Sequence, residues 1–337
     1  MAMVKISYMN AIRDGIAEEM RKNSQIVYFG EGVSERGGSY GQTKQLWGEF
    51  GDRRIIDTPI SENGFTALAV GAAAMGMVPV VDIMFGDILC EIMSPLAQQA
   101  AKLSYMSNGQ ISVPMVIRSQ GSGKRNGPHH SASLYAVCMH FPGIKVVCPG
   151  DACDAKGLIK TALNQKSPVF FCENKSMYAM RDEIPEEEYF TPFEAVCRKP
   201  GKDATVVSIG TIQYKIFNAL RQGMIDGDIE VIDPRCLMPL KLDMVVSSIK
   251  KTGRLVICED GYITCGAGAE IAARIAGNPE LYNLLKAPIA RVGNLNIANP
   301  YSPELEKAVT PAEKQIAEAI NRVLHGVYAK TAAPGRP

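Results

Sequence analysis

The sequence predicts an α/β protein of two units, the first a parallel sheet covered on both faces and the second a smaller α/β domain. Three observations carry this. Short apolar or β-branched runs alternate with helical patterns from Ile26 to Glu173, and the same alternation resumes from Ala204 to Glu259. Between them the rhythm breaks, because DEIPEEEYFTP is acidic and proline-bearing and RKPGKD is basic and turn-forming. The 337 residues are enough for two cores. The expected division is a first domain at 1–185, a linker at 186–203, a smaller second domain at 204–326 and a disordered tail at 327–337, where YAKTAAPGRP has nothing to bury.

Taken in order, Tyr8 to Lys22 carries apolar Ile12, Ile16 and Met20 between charges, an amphipathic helix, and Ile26 to Phe29 follows as a strand. Leu46 to Asp52 reads as a short helix and Ile55-Ile56 as a short strand. These deliver the chain to DTPISENGFTALAVGAAAMGMVPVVDIMFGD, from Asp57 to Asp87. There Ile60 to Gly64 is expected as a loop and Phe65 to Met77 as a helix, Ala- and Gly-rich on every face and therefore buried. Val78 to Phe85 is a strand covered on both faces, interrupted only by Asp82. Ile88 to Tyr105 is expected as a long helix kinked or restarted at Pro95, followed by strand Val113 to Arg118, helix Asp154 to Asn164 and strand Val169 to Glu173. The second unit reads as strands at 204–209, 229–233 and 254–259, with helices at 214–222, 242–251, 266–276 and 316–324.

Composition excludes several function classes. With 36 basic and 35 acidic side chains the net charge is +1, which points to neither nucleic acid nor a membrane surface. The nine cysteines include no CxxC pair and are odd in number, arguing against a disulfide framework or zinc site and for a reducing compartment. No run of about 18 apolar residues occurs, so no membrane span is expected and the cytoplasm is the expected location. The glycine cluster GEGVSERGGSYG lacks GxGxxG spacing, and no stretch has GxxxxGK followed by Ser or Thr, so both nucleotide motifs are rejected.

Two candidate sites remain. Glu62 is a lone carboxylate at the mouth of the Ala/Gly-rich unit. It reads either as a first-turn partner of the helix dipole with Ser61 as N-cap, worth about 0.3–1 kcal/mol, or as a functional acid. The loop QGSGKRNGPHHSAS holds two of the four histidines, and reads either as a solvated loop or as a second part of a site.

DTPISExGF, then LAVGAAxxG, then VxxxMFxD resembles the beta subunits of thiamine-diphosphate-dependent 2-oxo acid dehydrogenases, a group that includes acetoin dehydrogenase, and the resemblance runs from about Asn10 to Val323. It implies a pyrimidine-binding transketolase-like domain followed by a transketolase C-terminal-type domain. In that family the residue at Glu62 hydrogen-bonds the aminopyrimidine of the cofactor, and burial there would help it keep or share a proton. Further cofactor contacts are implied at Ile60, Met84 and Ile88. Many relatives carry Phe or Tyr at the last of these, so Ile88 is a departure that Phe85 nearby is a candidate to compensate. The family's His-Ser pair before PGxKVVxP matches His130-Ser131, which makes His130 the implied catalytic histidine and His129 an extra neighbour.

The metal–diphosphate motif, GDG followed by paired asparagines, is missing. Its near match Glu259-Asp260-Gly261 lies in the second domain with no asparagine pair after it. For a family member the implication is an alpha subunit that holds the magnesium, in a heterotetramer with two of each chain. The family also places a potassium ion on backbone carbonyls near Met115, Ala162, Gln165 and Ser167. Relatives have Asp-x-Pro where this chain has Asn296-Ile297-Ala298, so docking to a dihydrolipoyl acyltransferase core stays open. The implied reaction cleaves the carbon–carbon bond beside a carbonyl and passes the acyl group to a lipoyl carrier. Pyruvate, branched-chain 2-oxo acids and acetoin are all candidate substrates; MFGD, YMSNG and GPHHS lean towards acetoin. Two alternatives stand beside it: a two-chain transketolase-like or acyloin-forming enzyme without a lipoyl partner, and a non-catalytic regulatory subunit of the same fold.

Overall fold

The computed structural model describes residues 2–122 and 126–326. The chain divides into two compact units, and the division is not a single cut: the first takes 1–194, 235–240 and 297–306, the second 195–234, 241–296 and 307–337.

The first unit opens with β1 (Met3–Ser7), which pairs antiparallel with β8 (Arg181–Pro185), a two-stranded ribbon. Ser7 ends β1 and its hydroxyl accepts the Asn10 amide at 3.3 Å, capping α1 (Tyr8–Lys22) where the apolar period begins. The helix buries Ile12, Ile16 and Met20. It packs on the helix Ala152–Leu163, so closely that a Cβ on Gly15 would come within 2.8 Å of Ile159.

The main sheet of this unit contains β2 (Ile26–Gly30), β3 (Ile55–Asp57), β4 (Val78–Phe85), β5 (Val116–Gly121), β6 (Lys145–Val147) and β7 (Val169–Asn174). Their order is β6–β7–β5–β4–β2–β3, all parallel. β2, β5 and β7 are buried at every residue, which is why their sequences show no alternation of apolar and exposed positions. Short α2 (Leu46–Phe50) precedes β3.

Several expectations need correction. α3 spans Glu62–Ala74, so the helix begins at Glu62 itself, three residues early, and Ser61 before it makes no side-chain cap. Nor is α3 wholly buried. Phe65, Ala69, Val70 and Ala73 face the core, while Gly64, Leu68 (58% exposed), Gly71 and Met75 (87%) form an open face beside Ile60 (83%). Small residues all round it made the helix read as buried; in this chain only one side is. The long helix expected from Ile88 is instead a 3₁₀ turn Gly86–Cys90, a π-helical stretch Ser94–Ala100 with Pro95 in its first turn, and a short helix Leu103–Met106. Pro95 has no amide to continue a preceding helix and restarts the chain there.

The second unit has β9 (Val196–Lys199), β10 (Ala204–Ile209) and β11 (Ile229–Asp233). β9 lies inside the stretch read as linker and pairs antiparallel with β11. After it the chain returns to the first unit, where β12 (Cys236–Met238) adds an antiparallel edge beyond β6. Going back, β13 (Leu255–Tyr262) and β14 (Ala290–Asn294) complete a sheet ordered β14–β13–β10–β11–β9. Its core gathers Val206, Val231 and Val256 from the sheet with Ile212, Ile216, Ile316 and Ile320 from helices. Among the described residues no helix is long and apolar enough to cross a membrane. The expected disordered tail and part of the histidine loop, residues 123–125, lie outside the described residues.

Candidate active site

In an open parallel sheet the crevice beyond the carboxyl ends of the strands is where ligands gather, and the candidate residues converge on that edge of the first sheet. β2 runs into Glu31, β3 leads to Glu62 at the start of α3, β4 ends on Met84-Phe85, the loop after β5 carries His130, and β7 runs into Lys175.

Glu62 is half-buried in the first turn of α3, a position where the helix dipole favours negative charge. Its neighbour is Glu31, half-buried at the end of β2. Burial, then the charge of Glu62 and a carboxyl–carboxyl hydrogen bond with it, then Asp82, push Glu31 up from an ordinary 4.5 to about 7. Among the described residues Glu31 Oε1 is buried with no hydrogen-bond partner.

Met84 is held in a left-handed conformation, φ +58°, unusual for a side chain with a Cβ. Asp82 explains how it is held. Asp82 Oδ1 accepts the Met84 amide at 2.9 Å, and the pairing of β4 with β5 shifts register between Asp82 and Phe85. Ser39 Oγ lies 2.8 Å from the Met84 sulfur. Phe85 is half-buried, its ring edge-to-face with the His130 imidazole at 4.4 Å and with Tyr40 at 6.4 Å. His130 is half-buried and His129 exposed. Ile88 sits half-buried on the 3₁₀ turn after β4, and Ile60 precedes α3 with most of its side chain bare.

Beneath this edge lies a charged network in the middle of the sheet. Arg118 on β5 is fully buried, donates to both Glu173 carboxylate oxygens (2.5 and 2.8 Å) and donates to the Tyr28 hydroxyl at 2.5 Å. Tyr28 in turn donates to Asp82 Oδ2 at 2.7 Å, and Tyr178 donates to Glu173 at 2.7 Å. The two carboxylates hold the Arg118 guanidinium charged despite its burial.

The potassium carbonyls predicted from the resemblance fall elsewhere. Met115 immediately precedes β5 and its carbonyl accepts the Val169 amide at 2.9 Å; the Ala162 carbonyl accepts the Gln165 amide at 3.1 Å. Both therefore belong to the amino edge of the sheet. There Ser167 lines a cavity of about 760 Å³ with Tyr105, Gly143 and Lys166, and the Lys145 ammonium donates to Gln165 Oε1. Among the described residues no group of three or more His, Cys, Asp or Glu side chains could hold a metal ion.

The structure thus brings Glu62, Met84, Phe85 and His130 to one edge, with Ile60 and Ile88 beside them. Sequence reasoning missed Glu31, which sat in a glycine cluster considered only for phosphate. It also missed the Arg118 network. A signal for that network existed: Asp82, Arg118 and Glu173 are charges inside strands that read as buried on both faces. An acceptor near neutrality and an orphaned acceptor oxygen beside Glu62 suit an aminopyrimidine, whose ring nitrogen and amino group carry protons to be held.

Comparison with known proteins identifies the family. Residues 4–181 match the transketolase pyrimidine-binding domain and residues 194–316 the transketolase C-terminal domain. The chain is 38% identical over 327 residues to the pyruvate dehydrogenase E1 component subunit beta of Rhizobium meliloti (strain 1021), covering 96% of this chain and 71% of that one. It is 36% identical over 335 residues to the acetoin:2,6-dichlorophenolindophenol oxidoreductase subunit beta of Cupriavidus necator, covering 96% and 98%. Among solved structures it resembles a split-gene transketolase in an inactive beta4 tetramer, with TM-score 0.75, 19% identity and coverage of 95% and 98%. The transketolase from Leishmania mexicana gives 0.67 at 14% identity, covering 98% of this chain and 47% of that one; at such identities these two speak for the fold alone. The chain belongs to the transketolase-type, thiamine-diphosphate-dependent enzymes and, within them, to the family of beta subunits of 2-oxo acid and acetoin dehydrogenases.

Proposed function

We propose that this chain supplies the pyrimidine side of a thiamine-diphosphate site that it completes with an alpha subunit, in a heterotetramer with two of each chain. The substrate is a 2-oxo acid or acetoin, cleaved beside its carbonyl, and the acyl group passes to a lipoyl carrier on an acyltransferase core. The observation that carries this is the Glu31–Glu62 pair at the carboxyl edge of the first sheet. When bound, the cofactor supplies the carbon nucleophile that attacks a carbonyl. Glu62 would hold the pyrimidine ring nitrogen, with Glu31 behind it as a store for the proton. Met84, Phe85, Ile60 and Ile88 would wall the ring and exclude water. His130 would stand on the substrate side, where an imidazole orients a carbonyl and gives or takes a proton as the acyl group moves. Magnesium would be held mainly by the alpha subunit, and a potassium ion by the carbonyls of Met115, Ala162, Gln165 and Ser167 as a structural ion at the amino edge.

The test is hydrogen–deuterium exchange at the thiazolium carbon in the reconstituted two-chain complex. Glu62→Gln should slow exchange by about 10²–10⁴, the usual size of an acid–base contribution, while cofactor affinity falls far less. An unchanged rate would return Glu62 to the role of a dipole partner. In the same complex His130→Ala should spare exchange and slow reduction of an artificial electron acceptor, with His129→Ala mild by both measures.

A further inference from the structure

The segment that carries His130 is gripped from two sides by opposite charges. Lys175, the first residue after β7, donates from its ammonium to the His130 carbonyl. Asp87, on the turn after β4, accepts the next two amides through one oxygen, Ser131 at 2.8 Å and Ala132 at 3.0 Å. Below, the segment rests directly on backbone. A Cβ on Gly86 would stand 1.9 Å from the Ala132 carbonyl oxygen, and one on Gly121 would stand 2.5 Å from Ser133 Oγ. With that floor the segment cannot sink; what fixes it laterally is the lysine and the aspartate.

Lys175 also reaches the ring behind the imidazole. Its ammonium lies 4.6 Å from the centre of the Phe85 ring, the ring that meets the His130 imidazole edge-on. It therefore touches both the main chain of His130 and the surface its side chain rests on. We infer that Lys175 is a positioning residue for His130, fixing where the imidazole stands through a grip that depends on the ammonium keeping its charge. The inference rests on the reading of His130 as the substrate-side group.

The charged groups that bear on Lys175 are Asp87 and Glu306, the latter on the helix Pro303–Val309, with the titratable His130 ring beyond Phe85. Burial draws the ammonium down from 10.5 to about 8, against the pull of those two carboxylates. As pH rises through about 8 the amine loses its charge, and both the charge-assisted bond to the His130 carbonyl and the attraction of the Phe85 ring weaken. Turnover should fall with it.

The experiment uses the reconstituted two-chain complex, saturated with pyruvate or acetoin, whichever the wild type turns over, and an artificial electron acceptor. Wild type should lose turnover above about pH 8. Lys175→Arg keeps the charge without titrating, and should carry the alkaline limb up by at least one pH unit. Lys175→Met should lower kcat about tenfold at pH 7, abolish the limb near 8 and leave thiazolium exchange unchanged. In a His130→Ala background the Lys175→Met loss should vanish, because residues acting through one another are not additive. A limb unmoved in Lys175→Arg overturns the proposal, and that variant decides the matter even if Lys175→Met fails to fold. Full additivity with an active His130 overturns the positioning role alone. A silent His130→Ala overturns the reading of His130, and the positioning role with it.

Discussion

The two sheets share an architecture and differ in where they put polar groups. In the first, Asp82, Arg118 and Glu173 occupy neighbouring central strands and form an ion network with Tyr28 and Tyr178. In the second, the polar side chains of the middle strand β10 are small hydroxyls, with Thr205 meeting Ser248 at 2.7 Å and Thr252 at 2.8 Å, and the buried carboxylates lie on the flanking strands, Asp233 of β11 with Arg198 and Glu259 of β13 with Arg291. A buried ion network rarely stabilises a fold more than apolar residues would. Its presence under the first sheet's carboxyl edge therefore speaks of a shape to be held, namely the Asp82-pinned conformation of Met84, more than of stability to be gained.

The sharpest break of this comparison is a pair of substitutions. Arg118→Met leaves Glu173 and Asp82 buried without a countercharge and should cost about 3–5 kcal/mol of stability. Thr205→Val removes hydroxyl contacts at nearly constant shape and should cost about 1 kcal/mol. Denaturant unfolding of both variants, with circular dichroism as the probe, ranks them; equal losses would erase the distinction between the two sheets.

A finer contrast concerns the carboxyl group each sheet pushes up to about 7. Glu259, within β13, owes its shift to burial with a smaller push from Asp260, opposed by Arg291 at 3.3 Å and by the Gly268 amide. For Glu31 the charge of Glu62 and a hydrogen bond with it come directly after burial. Glu62→Gln should therefore bring Glu31 down towards the ordinary range and leave Glu259 where it is, while Arg291→Met should raise Glu259 further. Carboxyl-carbon NMR titration reads both. Each group binds its proton more tightly folded than unfolded, so the stability it contributes is fully present below about 4.5 and is lost as pH rises through 7. Glu259→Gln should flatten that slope by its share.

Much of the scaffold was legible because local chemistry decides it. α1 falls where its period and Ser7 place it, and β7, β10 and β11 follow apolar runs that have no other use. What escaped is set by distant partners. β1 needs β8 more than 170 residues on, and β12 leaves the second unit's sequence to edge the first unit's sheet. Val196–Lys199 looks like a linker until β11 is beside it. The same holds at the site. Glu62 stands in a recognisable motif, but Glu31 acquires meaning only when β2 brings it against Glu62, and Lys175 only when residues 130–132 are laid across Gly86.

The open face of α3 has a bearing on the life of the chain before it is ever an enzyme. Leu68 and Met75, one above the other with Gly71 between, are the kind of surface on which chaperones and quality-control proteases settle. A cell making this polypeptide in surplus would hold the excess as a client to be refolded or destroyed.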